Sequence, residues 1–270
     1  QDGIRDCLLS RGLGDVYKRQ QQDVALVLTE KAVEWLEGAA QKAKKPFFLY
    51  FAHRNVHGPY APNERFKGKS EIGVYGDFLL ELDWSIGEIL NTIDGLNLAN
   101  DTLVFFSSDN GGVQMGHKPA TFVDHYGHMT NGPLRGQKPE SLEGGHRVPL
   151  LARWPGRIEP GSTSDELVAL TDVMATLGEL LDIQLAEDAG PDSISFLSAL
   201  LGRKPKRPTR EILVHDNYRG GYGIRVGDWK LLMIQGGGGI GWSPFDYDTG
   251  QPIGQLYNLK SELQERDNFC

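Results

Sequence analysis

Residues 103–112 read LVFFSSDNGG, and this stretch decides how the rest of the chain is interpreted. Val104, Phe105 and Phe106 are β-branched or aromatic with no polar alternation, the pattern of a strand buried on both faces. The run stops at Ser107 and Ser108, delivers Asp109 and Asn110, then reaches Gly111 and Gly112, which permit a sharp turn. In an open parallel sheet, ligands gather just beyond the carboxyl ends of the strands. A carboxylate and an amide carbonyl placed there are hard oxygen donors, suited to Ca²⁺ or Mg²⁺. The same Asp-Asn-Gly also suits a plain turn. The neighbouring segments must decide.

Upstream, Phe47–Ala52 (FFLYFA) is a second apolar run without alternation, opened by Pro46 and followed by HRNVHGPYAP. By the same topological rule, His53 and His57 are expected at the carboxyl edge of the same sheet. A histidine there can bind an anion when protonated, ligate a metal, or give a proton to a leaving group. Two loop histidines facing water are the plainer alternative. Between the two runs, Gly73–Ile93 is an amphipathic helix. Tyr75, Phe78, Leu79, Leu82, Ile86, Ile89, Leu90 and Ile93 form its inward stripe, with Asp77, Glu81, Asp83 and Glu88 expected on a solvated face. Strand, helix, strand predicts a βαβ unit with parallel pairing. An earlier helix, expected to be capped by Thr29, turns Ala32, Val33, Leu36, Ala40 and Ala43 inward.

Downstream, residues 111–146 are glycine-rich and irregular, and carry His117, His125, His128 and His146. A segment this long without pattern is usually a binding or active-site loop. Its latter part begins NGPLRGQKPESLEGGHRVP, residues 131–149, where Arg135 and Lys138 are cations of the kind an oxyanion requires. A structural ion pair for Arg135 and water for Lys138 are the alternatives. Val148–Trp154 is another apolar strand. Thr171 is expected to cap a helix with Val173, Leu177, Leu180 and Leu181 inward, and Ile194–Leu201 a shorter one. Gly202–Thr209 is a basic, proline-containing linker, followed by short strands over Glu211–Asp216, Tyr222–Val226 and Trp229–Ile234. The run Gly236–Gly239 reads as a mobile loop, with the lining of a substrate cleft as the alternative.

Composition narrows the classes. A chain of 270 residues suits one large α/β domain or a domain with a small appendage. A net charge of −8 without any Lys/Arg run argues against nucleic acid. No apolar stretch approaches the roughly 20 residues of a membrane span. Cys7 and Cys270 offer neither a disulfide framework nor zinc spacing. Residues 1–20 show no sustained period and read as a non-native or disordered arm. The expected organisation is an arm over 1–22, an α/β domain over 23–205, and a small α+β subdomain over 206–270.

Four phrases in order, FFLYFAHRNVHGPYAP, YGDFLLELDWSIGEIL, TLVFFSSDNGG and RGQKPESLEGGHRVPLLARWPG, resemble the sulfatase family of the alkaline-phosphatase-like superfamily. GDWKLLMIQGGGGIGW and QLYNLKSELQERDN resemble the C-terminal part of an arylsulfatase-type chain. The resemblance covers nearly everything after residue 23. It implies an α/β fold with a parallel-rich sheet flanked by helices and a small C-terminal antiparallel sheet. It also implies hydrolysis of aryl or carbohydrate sulfate esters, with Asp109 and Asn110 as calcium ligands. Lys138 would contact the substrate sulfate, and His57 would bind sulfate and assist departure of the alcohol. His53 and Arg135 are further substrate-binding candidates. A periplasmic or extracellular address goes with the same resemblance.

The family's nucleophile is a formylglycine, made from cysteine or serine in a C-x-P-S-R motif. It is expected upstream and is absent from this chain, as are the family's paired aspartates. Cys7-Leu8-Leu9-Ser10-Arg11 imitates the motif, but Leu9 replaces its proline. Two ligands from one loop also leave incomplete a calcium shell of about 6–8 oxygens. The chain alone is therefore expected to be inactive. A phosphate or phosphonate ester hydrolase of the same superfamily and a non-catalytic sulfated-glycan-binding module are the rival readings.

Overall fold

A computed structural model of the chain describes residues 21–42, 45–113, 127–203, 207–239 and 253–270. Cys7, His117, His125, the arm over 1–20 and residues 204–206 of the linker lie outside the described residues. Two compact units divide between Thr102 and Leu103.

The first unit is built on two helices, α1 (Val24–Gln41) and α2 (Gly73–Gly95). Ala32 and Leu36 of α1, and Tyr75, Phe78 and Ile93 of α2, are buried, as the helical spacing of apolar residues predicts. Thr29 is not a cap. It sits inside α1, where its hydroxyl donates to Ala25 O at 2.7 Å and lies 2.6 Å from Ser85 Oγ of α2. Since that Thr29 proton is spent on Ala25, Ser85 is the donor between the helices.

The expected solvated face of α2 needs correcting as well. Asp83 is exposed, but Asp77 and Glu81 are buried. Asp77 accepts hydrogen bonds from the backbone N–H groups of Gly68, Lys69 and Ser70, tying the incoming loop to the helix. Burial is tolerated because the carboxylate regains its lost water contacts from backbone donors. Phe47–Ala52 belongs to neither described sheet; it runs with Phe48 and Tyr50 exposed, where an unalternating buried strand was expected.

In the second unit, β1 (Val104–Ser107) pairs antiparallel with β2 (Leu150–Arg153), with Val104 opposite Arg153 and Ser107 opposite Leu150. Both described sheets are antiparallel, and β1 is half-buried along its whole length. Among the described residues between β1 and β2 lies one helical turn, α3 (Glu143–His146). Next come α4 (Asp172–Leu180) and a second turn, α5 (Leu197–Leu200). Thr171 makes no capping hydrogen bond to α4. Instead Asp172 accepts from the N–H groups of Ala169 and Ile194 and pairs with the buried Arg210 guanidinium.

The small antiparallel sheet expected of the C-terminal part is present, as β3 (Ile212–Asp216), β4 (Tyr222–Val226), β5 (Trp229–Leu232) and β6 (Gln255–Asn258) in spatial order β3-β4-β5-β6. Its inner face contributes Leu232 and Tyr257 to a core with Leu142, Ile234 and Leu259. Gly236–Gly239, expected as a mobile loop, lies packed against neighbouring residues. Gly237–Gly239 are buried, and a Cβ would fall 2.7 Å from Glu140 Oε2 at Gly237 and 2.3 Å from Asn217 Nδ2 at Gly238. These glycines let the backbone lie against the turn after Lys138, where Ser141 N–H donates to Gly237 O at 2.8 Å.

Candidate functional site

The two candidate groups fall in different units and are described separately. In the first unit, His53 and His57 flank a loop anchored by Asn55. Its side-chain amide donates to Phe78 O and to Glu81 Oε2, each at 2.9 Å. Glu81 is fully buried and also accepts from Asn63 N–H at 3.2 Å. Burial raises its pKa, and the bonds from Asn55 and Asn63 offset part of that rise.

The histidines differ. His53 Nδ1 accepts from Asn55 N–H at 3.1 Å, which places the proton of the neutral ring on Nε2. That Nε2 is buried without a partner among the described residues. Burial lowers the His53 pKa to about 4, so it stays neutral at pH 7 and has a hydrogen bond, not a charge, to offer an anion. His57 is exposed, and its Nδ1 lies 2.7 Å from Gly58 O. A carbonyl can only accept, so Nδ1 carries a hydrogen and Nε2 is the atom left to exchange a proton with solvent or ligand.

In the second unit, the chain beyond β1 folds against two other backbone segments. Asp109 is exposed with no side-chain partner among the described residues. Asn110 Nδ2 donates to Gly111 O at 3.1 Å, which leaves its amide oxygen as an acceptor. Gly111 N–H donates to Gly145 O at 2.9 Å, and Lys138 N–H to Gly112 O at 3.3 Å. Asn131 closes the arrangement, accepting from Gly112 N–H at 2.7 Å and donating to Gly112 O and Gly136 O.

Glycine makes this possible. A Cβ on Gly111 would stand 1.8 Å from Gly144 O, one on Gly144 2.3 Å from Gly136 O, and one on Gly145 2.0 Å from Glu140 O. Three backbone segments are stacked in direct contact: 109–112, 135–140 and 143–145. The stack therefore holds the Lys138 backbone against Gly112, two residues along the chain from Asn110. Lys138 is half-buried and has no side-chain partner among the described residues. Arg135 is differently employed, its guanidinium donating through Nη1 to Glu265 O.

Beneath the stack lies a cluster that sequence reading missed. Lys230 Nζ, fully buried, stands 2.9 Å from Glu143 Oε1 and 2.8 Å from Glu265 Oε1, both carboxylates being buried too. The Glu143 contact is a hydrogen bond; the Glu265 contact is ionic without that directionality. Glu265 Oε2 instead accepts from Glu143 N–H at 2.6 Å. Burial alone would raise the Glu143 pKa, but Lys230, His146 and Arg147 overcome it and hold it down to about 2. For Glu265 burial outweighs Lys230, and its pKa is raised. His146 Nε2 lies 3.1 Å from Lys230 Nζ, and its ring centre 3.9 Å from that of His215. Burial and the Lys230 charge lower these histidines to about 3 and about 4.

One signal was legible. In Trp229-Lys230-Leu231-Leu232, period two puts Lys230 on the same face as Leu232, which the core occupies. An inward-facing lysine needs buried anions.

A family model described as Sulfatase matches residues 14–183. The chain belongs to the sulfatase family. It is 36% identical over 257 residues to N-acetylgalactosamine-6-O-sulfatase of Bacteroides thetaiotaomicron, covering 93% of this chain and 48% of the relative. It is 37% identical over 202 residues to arylsulfatase A of Bos taurus, covering 73% of this chain and 38% of the relative. A solved sulfatase structure from work on glycosaminoglycan metabolism by Bacteroides thetaiotaomicron superposes with a TM-score of 0.80 at 36% identity, covering 93% of this chain and 51% of that one. The chain thus spans about half the length of these relatives or less, and has the alkaline-phosphatase-like α/β fold of its structural neighbours.

The donor chemistry of Asp109 and Asn110 fits part of the shell of a hard divalent cation. Among the described residues, no group of three or more His, Cys, Asp or Glu could hold a metal ion. Two oxygens could supply only part of such a shell. No described helix is long and apolar enough to cross a membrane.

Proposed function

We propose that this sulfatase chain contributes the sulfate-binding wall of an enzyme that hydrolyses a sulfated carbohydrate. The observation that carries the reading is the glycine stack. In it the Lys138 N–H donates to Gly112 O, two residues along the chain from Asn110, and the Lys138 side chain has no partner among the described residues; this supports a role for Lys138 with Asp109 and Asn110. A carbohydrate is favoured because the relative matched over 93% of this chain is an N-acetylgalactosamine-6-O-sulfatase.

The ester R–O–SO₃⁻ must lose its O–S bond, with a proton supplied to the departing alcohol. Asp109 and Asn110 would hold a calcium ion. Lys138 pairs with a sulfate oxygen and offsets charge as it develops. His57 is suited to the proton, since its Nδ1 is committed to Gly58 O and leaves Nε2 as the working atom. His53, neutral, offers only its Nε2–H to a substrate oxygen. Arg135 supports the wall through Glu265. A divalent cation and the family's formylglycine, when present, supply polarisation of the sulfate and the attacking oxygen. The parallel-rich sheet expected from the sequence belongs to the same reading.

The test is side-by-side turnover of 6-sulfated N-acetylgalactosamine, nitrophenyl sulfate and nitrophenyl phosphate by the formylglycine-bearing enzyme. Preference for the sulfated sugar, lost on chelation of calcium, is expected. Preference for the phosphate would assign a phosphoric ester hydrolase, and calcium-dependent binding without turnover a glycan-binding module.

A further inference from the structure

We propose that Glu265 is a positioning residue for the wall carrying Asp109, Asn110 and Lys138, acting through Lys230 and the Glu143 backbone without touching a ligand. Its functional meaning rests on the sulfate-binding reading above; the connections themselves are geometric.

Glu265 adopts φ of 53°, the left-handed region that favours glycine and strains a larger residue. Such strain persists only where the surroundings over-determine the conformation. Here they do. One carboxylate oxygen accepts from Glu143 N–H, the other faces Lys230 Nζ, and the carbonyl accepts from Arg135. The carboxylate is entirely buried, an arrangement that costs desolvation and that apolar residues would replace if stability alone were served.

From this knot a continuous path of bonds reaches the candidate residues. Gly144 N–H donates to Arg135 O at 2.7 Å, three residues before Lys138. Gly111 N–H donates to Gly145 O at 2.9 Å, next to Asn110. The segments touch backbone to backbone, closer than any side chain would permit. A shift of α3 therefore has no flexible side chain in which to dissipate. Moving Glu265 moves the Asp109–Asn110 turn and Lys138 with respect to each other.

The experiment compares Glu265→Gln and Glu265→Gly with Asp172→Ala in the 270-residue chain. Glutamine keeps size and an acceptor for Glu143 N–H, but sets an amide donor against Lys230. Glycine relieves the backbone and deletes the carboxylate. Asp172→Ala breaks the buried pair with Arg210, elsewhere in the same unit. Amide hydrogen exchange is measured at Gly111, Lys138, Glu143 and Gly144, and at α4.

Both Glu265 variants are expected to speed exchange at the first group about tenfold or more and leave α4 unchanged, with Asp172→Ala doing the reverse. In the formylglycine-bearing enzyme carrying the same substitutions, calcium affinity in the presence of inorganic sulfate should fall about 10–100-fold with Glu265→Gln and hold with Asp172→Ala. A Glu265→Gly chain as well protected as wild type would make position 265 a mere turn and overturn the proposal. So would Glu265→Gln and Asp172→Ala loosening both regions alike. If that enzyme without the substitutions binds neither calcium nor sulfate, the sulfate-binding reading fails, and the exchange pattern in the 270-residue chain still decides the clamp.

Discussion

Glu81 in the first unit and Glu143 in the second are both buried carboxylates beside a candidate site segment, but their partners differ. Glu81 is held by neutral donors, the amide of Asn55 and the backbone of Asn63. Glu143 is held by a buried ammonium, with the half-exposed Arg147 as a second cation 3.2 Å away. Neutral donors satisfy a carboxylate without compensating its charge, so burial raises the Glu81 pKa while cations hold Glu143 down to about 2. The first unit thus fixes its histidine loop with a device that tolerates loss of a charge. The second fixes its stacked backbones with one that does not.

Removing Lys230 should therefore produce the largest effect. Lys230→Met leaves Glu143 and Glu265 buried without their shared cation. Breaking a buried pair in this way typically costs about 3–5 kcal/mol. Hydrogen exchange should report it as loss of protection across β3–β6 and α3, with α1 and α2 unaffected. Glu81→Gln, the counterpart in the first unit, should cost far less, because it trades one hydrogen bond for relief of a desolvated charge. Equal losses from the two variants would erase the distinction.

Next comes Lys138→Ala, whose effect belongs to turnover. With no described side-chain partner, the lysine contributes little to folding, and surface changes of this kind usually stay within about 0.5 kcal/mol. Loss of one preorganised charge typically lowers the rate about 10²–10³-fold. Steady-state kinetics with a melting curve on the same preparation separates the two. Earlier melting with near-normal turnover would make Lys138 structural.

These contrasts show what the sequence made legible. Apolar periodicity placed both long helices and three strands of the small sheet, because burial of side chains drives those choices locally. The break in the strand at Asp109 and Asn110 was legible as well, while the chemistry read into them and Lys138 belongs to the proposal above. The status of Asp77 and Glu81 was not, because a carboxylate on a helix face is solvated or buried according to donors from a remote loop. Thr29 misled for a similar reason, since a hydroxyl that can cap a helix can equally bridge two of them. Gly236–Gly239 was read for one property of glycine and is used in the fold for another. Glycine's freedom suggests motion, but here its lack of a side chain serves close approach to Glu140 and Asn217. Sequence distance hid the Lys230 cluster too, as Glu143 and Glu265 are 122 residues apart.

Glycine also gives a paired test of smaller size. Gly144→Ala puts a Cβ 2.3 Å from Gly136 O and 2.7 Å from Arg135 O, and neither backbone oxygen can step aside. Overpacking of this kind costs about 1–3 kcal/mol. Gly38→Ala in α1 meets nothing within 4 Å and should stabilise by about 0.5–1 kcal/mol, since alanine restricts the unfolded chain. Chemical denaturation of both variants checks the signs. Two changes of the same sign would mean that the stacked segments are looser than their contacts imply.

A last contrast is a difference in how the two units respond to acid. In the second unit, His146 and His215 have pKa values lowered from 6.5 to about 3 and about 4, burial being the leading cause and the Lys230 charge the next. A lowered histidine favours the neutral form in the folded state, so its contribution is complete above 6.5 and is lost as pH falls toward the folded value. Glu143, lowered from 4.5 to about 2, then loses its contribution as pH falls below 4.5. Glu265 opposes them, because its raised pKa favours folding below 4.5 and that advantage is lost as pH rises through the folded value. In the first unit, His53, lowered to about 4, is likewise lost on acidification, while Glu81, being raised, runs the other way. Between pH 6.5 and 4.5, two histidines act against the second unit and one against the first. Exchange protection should fall more steeply with acid in β3–β6 than in α1 and α2. His215→Phe sharpens the comparison, since Gly223 already leaves room for a ring, its Cβ position lying 2.4 Å from His215 Cε1. That variant should flatten the second unit's profile over this window and leave the first unit's unchanged. An unaltered slope would mean that His215 titrates normally in the fold and that its burial does not govern its charge.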